Sequence, residues 1–122
     1  MSTTEKLASF IIQLDHVRIA HWQTRVYSAH KALGKFYEQM SEFVDWYAES
    51  SQAQDPLVFT DPLYTPTDIS LVNIDTDEKV NTLFAGIEET LRNADGEPSE
   101  FVNKRDELLA QLKRTQYLLK MT

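Results

Sequence analysis

The chain has 122 residues and a mass of 14.1 kDa, room for one domain but not for two that each bury a core. It contains no cysteine, which excludes disulfide scaffolds, thiolate nucleophiles, cysteine-ligated zinc and iron–sulfur clusters, so any metal must be held by His and carboxylates. Twelve Lys and Arg stand against nineteen Asp and Glu for a net charge of −7, the opposite of what wrapping a nucleic-acid backbone requires, and direct nucleic-acid binding is not expected.

A hydrophobic content of 42%, a charged content of 25% and a mean hydropathy of −0.41 are those of a soluble globular protein, and three Gly with four Pro point towards helix. No apolar run approaches the roughly 20 residues that span a bilayer. Met1-Ser2-Thr3-Thr4-Glu5 leads into an amphipathic pattern, not a basic signal region. A cytoplasmic, unprocessed protein with no membrane partner is expected.

Ser2-Thr3-Thr4-Glu5 has capping-box spacing, and Leu7, Phe10, Ile11, Leu14, Val17 and His21 follow at helical intervals, predicting a first helix over roughly residues 4 to 24. Ala8, Ile12 and Ile19 form a second apolar strip on nearly the opposite side, to be covered by a partner chain or by a crossing loop. From Ser28 to about Ser50 a second amphipathic helix carries Ala29, Leu33, Phe36, Met40, Phe43, Val44 and Tyr47. A tight break is expected within Gln23 to Tyr27, although neither Gly nor Pro marks it.

Residues 51–74 gather Pro56, Pro62 and Pro66 with Asp and Thr, and Asp68–Ile74 alternates weakly like an extended segment. This reads as a long crossover whose Leu57, Phe59, Leu63 and Tyr64 pack onto the helices. Asp75-Thr76-Asp77-Glu78 repeats the capping-box arrangement ahead of Val80, Leu83, Phe84, Ile87 and Leu91, a third stripe ending before Asp95-Gly96. Pro98 opens a fourth helix bearing Phe101, Leu108, Leu112 and Leu119. Four amphipathic helices with short, long and short connections predict an all-α fold, a ferritin-like four-helix bundle with one long crossover between helices two and three, occupying residues 1–122 as a single domain.

The three His are His16, His21 and His30. His16 falls off both apolar strips and reads as a surface residue. His21 continues the core stripe, where it is either a hydrogen-bonded core imidazole or a metal ligand. Setting His30 at zero and advancing about 100° per residue, Asp45 falls near about 60°, Glu38 near about 80°, Glu49 near about 100° and Glu42 near about 120°. The apolar centre of the same helix lies near about 270°, so four carboxylates share a stripe directed away from their own core. In a monomer that stripe is a solvated acidic face; metal binding there needs a second protein surface to supply imidazoles. No nucleophile elbow, P-loop, dinucleotide turn or His-Glu-x-x-His motif is present.

The run His21-Trp22-Gln23-Thr24, then His30, then Asp45-Trp46-Tyr47-Ala48-Glu49 resembles the Dps-like mini-ferritins, whose pattern is His-Trp-Asn, a second His and Asp-x-x-x-Glu. The resemblance implies a di-iron ferroxidase site between subunits, with His21 and His30 of one chain facing Asp45 and Glu49 of another. Gly34 stands where that family places a further acidic ligand, leaving Glu38 as its substitute. The block from His21 to Leu33 also looks like a small family of tailed-phage proteins. The leading expectation is a metal-binding homo-oligomer, at least a dimer through helices one and two, that holds iron or another divalent metal between chains. The alternative is a non-catalytic, phage-encoded interaction protein that binds a host protein in the host cytoplasm.

Overall fold

The computed structural model describes residues 2–59 and 72–121. These form four helices, α1 (Thr3–Gln23), α2 (Tyr27–Gln54), α3 (Asp77–Arg92) and α4 (Ser99–Lys120), and no strand. An all-α fold is therefore established for the described chain, and no helix in it is long and apolar enough to cross a membrane.

Local chemistry sets the helix ends. The Ser2 hydroxyl accepts the Glu5 amide at 3.1 Å, as the capping-box spacing predicts. At α3 the cap lies one residue later than expected: Thr76 takes the Lys79 amide at 3.2 Å, while Asp75 is drawn to the Lys79 ammonium at 2.8 Å. This shift places Asp77 and Glu78 in the first turn, where they face the positive end of the helix dipole. α2 runs about one turn beyond its expected end at Ser50. Nothing in Ser51-Gln52-Ala53-Gln54 breaks a helix, and it is Asp55, the residue before Pro56, that leaves helical geometry.

Beyond α2, Asp55 accepts the Leu57 amide through its carboxylate at 3.0 Å and the Val58 amide through its carbonyl at 3.0 Å. That turn directs Leu57 outward, 72% exposed, so the expectation that it packs on the helices is corrected; Phe59 does pack against the core. Leu63, Tyr64 and residues 68–71 of the weakly alternating segment lie outside the described residues. Its described end, 72–74, is not a strand, and Ile74 is buried.

α1 packs beside α2 and α3, and α4 beside the same two helices, with α1 and α4 on one diagonal and α2 and α3 on the other. Phe36 of α2 and Phe84 of α3 meet across the centre, ring centroids 5.1 Å apart. Neighbours run antiparallel: Phe10 of α1 stacks edge-to-face on Phe43 and Tyr47 near the end of α2, and Gln23 at the end of α1 holds Asn73 and Ile74 just before α3. The end of α2 thus lies at one end of the bundle, where the Thr4 hydroxyl donates to the Val58 carbonyl, and the start of α3 lies at the other. In the strip of Ala8, Ile12 and Ile19, Ile19 is buried and the other two are half-buried in the single chain.

The end that holds the α3–α4 turn encloses a charge. Lys6 is 1% exposed and its ammonium meets the Glu97 carboxylate at 2.7 Å; the Tyr47 hydroxyl donates to the same oxygen at 2.8 Å. Burial first, and then the neighbouring Glu97, hold the Tyr47 phenol well above its usual range, so it serves as a neutral donor. Removing Glu97 strands a buried ammonium, a defect worth about 3–5 kcal/mol. Glu97→Ala is therefore expected to cost this much in chemical denaturation, and Lys6→Met somewhat less, because the Glu97 carboxylate, though only 9% exposed, keeps the Tyr47 hydrogen bond and the apolar stem is replaced.

On the outside of α3, Glu88 joins Lys113 of α4 at 2.6 Å and Arg92 at 3.0 Å. Lys113 first, and Arg92 second, hold its carboxyl below the usual glutamate value of 4.5. A depressed carboxyl stabilises the fold fully above its unfolded value and loses that contribution as pH falls through its folded value. Denaturation midpoints of wild type and Glu88→Gln are thus expected to differ most near neutrality and to converge below about pH 4.

Candidate functional site

The site lies at the opposite end, on the α1–α2 hairpin. α1 stops at Thr24, which turns extended, and α2 starts after Val26, also extended and without a side-chain cap. Both residues are β-branched and favour that geometry. The Thr24 hydroxyl accepts the Val26 amide at 3.3 Å, so side chains do what Gly or Pro does in most turns of this kind.

Across this turn the two histidines close a reciprocal clasp. His21 Nδ1 lies 2.7 Å from the His30 carbonyl and His30 Nδ1 lies 2.8 Å from the His21 carbonyl. A carbonyl only accepts, so both Nδ1 atoms carry protons, and the neutral form of each ring is the tautomer with its lone pair on Nε2. Neither Nε2 has a hydrogen-bond partner among the described residues. The rings stack with centroids 3.9 Å apart and planes 18° from parallel, and Tyr27 extends the stack over His30 at 6.4 Å.

Gly34 makes the clasp sterically feasible. A Cβ built there would sit 2.8 Å from His21 Cε1 and 3.0 Å from its Nδ1. In an α-helix the carbonyl of residue 30 accepts from the amide of residue 34, so a ring that reaches the His30 carbonyl from outside must pass over position 34. An acidic side chain there, which the mini-ferritin resemblance leads one to expect, cannot coexist with the His21 ring in this place.

The rings open onto a groove of about 820 Å³ whose walls include Tyr27, Lys31, Lys35, Glu38 and Met121. Three of the residues singled out from the sequence, His21, His30 and Glu38, are therefore brought together. Asp45 and Glu49 are not. They lie on the exposed face of α2, 15 and 19 residues from His30, or about 22 and 28 Å along the axis. Among the described residues no group of three or more His, Asp and Glu is arranged to hold one ion. The acidic stripe of Glu38, Glu42, Asp45 and Glu49 is exposed, as its angular position predicts, whereas His16 is half-buried instead of lying free on the surface.

Sequence reasoning did not find the clasp or the role of Gly34, and it missed two further arrangements. Arg18 lies over both the Trp22 and Tyr37 rings, 5.9 and 5.0 Å from their centroids, and donates to the Tyr37 hydroxyl. The signal was present in the spacing of Arg18 and Trp22, one turn apart on α1. Lys6 precedes Phe10 by one turn on the core stripe, and that position marks it for burial.

The profile of a family of unknown function (DUF5856) matches residues 21–119, a span that begins at the first clasp histidine. No curated protein and no solved structure matches the chain.

Gly34→Ala is expected to change sign with its surroundings. With His21 present the added methyl breaks the clasp and lowers stability or leaves it level; in a His21→Ala background the same change raises stability by about 0.5–1 kcal/mol through helix propensity alone. A double-mutant cycle in urea measures the difference.

Proposed function

The chain belongs to the DUF5856 family, and we propose that within it this protein is a ferritin-like, divalent-metal-binding bundle whose site is completed between two copies of the chain. The order of packing supports the ferritin-like reading: α1 and α4 are each flanked by α2 and α3, and the link from α2 to α3 joins opposite ends of the bundle.

The observation that carries the metal reading is the clasp. Imidazoles whose Nδ1–H is fixed on a backbone carbonyl, with Nε2 left without a partner, are prepared as metal-ligating histidines commonly are. The near-parallel, stacked rings keep their in-plane lone pairs in separate planes, so the two do not converge on one ion, which suits one imidazole per ion. His21 and His30 supply neutral nitrogen donors and Glu38 an oxygen donor; Asp45 and Glu49 of a second copy supply the remaining charge. Bound iron would contribute electron transfer to oxygen or peroxide, a ferroxidase chemistry. The chain's own part is to fix the tautomers, hold both rings and leave the groove open.

Equilibrium dialysis against ferrous iron under reducing conditions, followed by elemental analysis, tests the reading. Stoichiometric metal is expected in the wild type, with affinity lower in His21→Ala and in His30→Ala by at least the roughly 10- to 100-fold that loss of a mere outer-shell partner costs a metal site. A wild type that retains no metal sinks it.

The exposure of Trp22 at 64%, Tyr27 at 72% and Met121 at 68% around the same hairpin favours a second reading, a non-catalytic phage-encoded protein that binds a host protein through this end. Partner binding that survives a His30→Ala, Glu49→Ala pair, with metal content unchanged by that pair, supports the second reading over the first.

A further inference from the structure

α2 carries an exposed charged seam at alternating spacings of four and three: Lys31, Lys35, Glu38, Glu42, Asp45, Glu49. At about 100° per residue the six lie within about 80° of one another, and 4-3 spacing is that of a seam which faces one partner helix along its length. Lys35 and the four carboxylates make no ion pair or hydrogen bond among the described residues, and Lys31 only lies over the Tyr27 ring.

The order of signs along this seam works against the helix that bears it. Basic residues occupy the N-terminal part and acidic ones the C-terminal part, with no acid in the first turn and no base in the last. That is the reverse of what the helix dipole favours. Lys31 with Lys35, Glu38 with Glu42 and Asp45 with Glu49 are moreover like charges one turn apart, a repulsive spacing. α3 shows the favourable arrangement in the same molecule, with Asp77 and Glu78 in its first turn and Arg92 in its last. The cost at Lys31, Lys35, Asp45 and Glu49 is offset by a partner with the opposite order of signs, and the same seam run antiparallel has that order at those four positions.

We infer that α2 pairs antiparallel with α2 of a second copy about a two-fold axis near residue 40, with Lys31 against Glu49 of the partner subunit and Lys35 against Asp45 of the partner subunit. A register in which the numbers of opposing residues sum to 73 also sets both lysines against carboxylates but uses less of the helix. Here residues whose numbers sum to 80 oppose one another, which also brings Glu38 against Glu42 of the partner subunit on each side of the axis, two like-charge contacts against four of opposite sign. That axis falls at the middle of the Tyr27–Gln54 helix, so the pairing uses the helix's whole length. Tyr27, the large exposed ring at the start of the seam, then opposes Ala53 of the partner subunit. The interface is isologous, so each ion pair occurs twice. The inference deepens the reading above by naming the copy whose carboxylates reach the His21–His30 groove, and it is tested without metal.

Sedimentation velocity in low-salt buffer with EDTA measures the pairing. The wild type is expected to be a dimer whose dissociation constant rises about tenfold or more towards 1 M salt, where the Debye length shrinks to about 3 Å. Lys31→Glu with Lys35→Glu, and separately Asp45→Lys with Glu49→Lys, each set like charges against one another and yield monomers. Mixing the two double variants restores all four opposite-sign contacts and yields a heterodimer, which also shows that both are folded. A monomeric wild type, homodimers of either variant, or a mixture that stays monomeric overturns the pairing. Metal uptake by dialysis is scored separately, so a dimer without metal overturns only the metal reading, and metal uptake by a monomer overturns only the pairing.

Discussion

The imidazole–carbonyl clasp between His21 and His30 is the contact on which the hairpin, the groove and the choice of glycine at 34 all depend. The last four carbonyls of an α-helix have no partner within it, and His21 contributes one of them near the end of α1. His30 supplies the missing donor from the next helix. In return His21 adds a second donor to the His30 carbonyl, which has two lone pairs and already serves its own helix. Each bond fixes the ring that makes the other, so the two act as a unit and set the angle at which α1 leaves and α2 begins. A turn with neither Gly nor Pro holds its shape because the constraint comes from side chains on both flanks.

The two ends of the bundle follow different electrostatic rules. At the α3–α4 turn a lysine and a glutamate are withdrawn from water and satisfied by one another and by a tyrosine hydroxyl. Such groups specify an arrangement more than they stabilise it, since desolvation offsets most of the attraction. At the hairpin end, charged and aromatic groups face outward and ring nitrogens lack partners. The ring nitrogens, beside exposed Trp22 and Tyr27, give this end the surface on which both proposed readings rest.

Helix existence and the core stripes were legible in the sequence because burial follows the 3.6-residue period: Phe10, Leu33, Phe36, Phe84 and Leu112 are all essentially inaccessible, as their spacing requires. The outward acidic stripe was legible for the same reason, since angular position is a property of one helix. What could not be read were choices between near-equal local options. Thr76 and Asp75 are both good N-caps, and only the pairing of Asp75 with Lys79 decides between them. Leu57 is apolar enough to pack, yet the Asp55-anchored turn points it outward. The candidate site divides along the same line: the histidines and carboxylates stood out as residue types, whereas the clasp depends on two backbone carbonyls and an absent Cβ, which carry no signature in a string of side chains.

Lys31 and Lys35 set a condition on any cation that enters the His21–His30 groove. Both line it, against the single carboxylate of Glu38, so within one chain the groove carries a net positive charge that opposes metal entry. The proposed antiparallel pairing would bring two carboxylates to each groove and reverse that sign. On that proposal metal binding and pairing would be coupled, and linkage makes any such coupling reciprocal: whatever factor pairing adds to metal affinity, metal adds to pairing. The coupling is bounded by the lysines themselves, because a partner carboxylate that neutralises an ammonium is less available as a ligand. The same two lysines that would attract the second copy would therefore limit how tightly the proposed joint site holds a divalent ion.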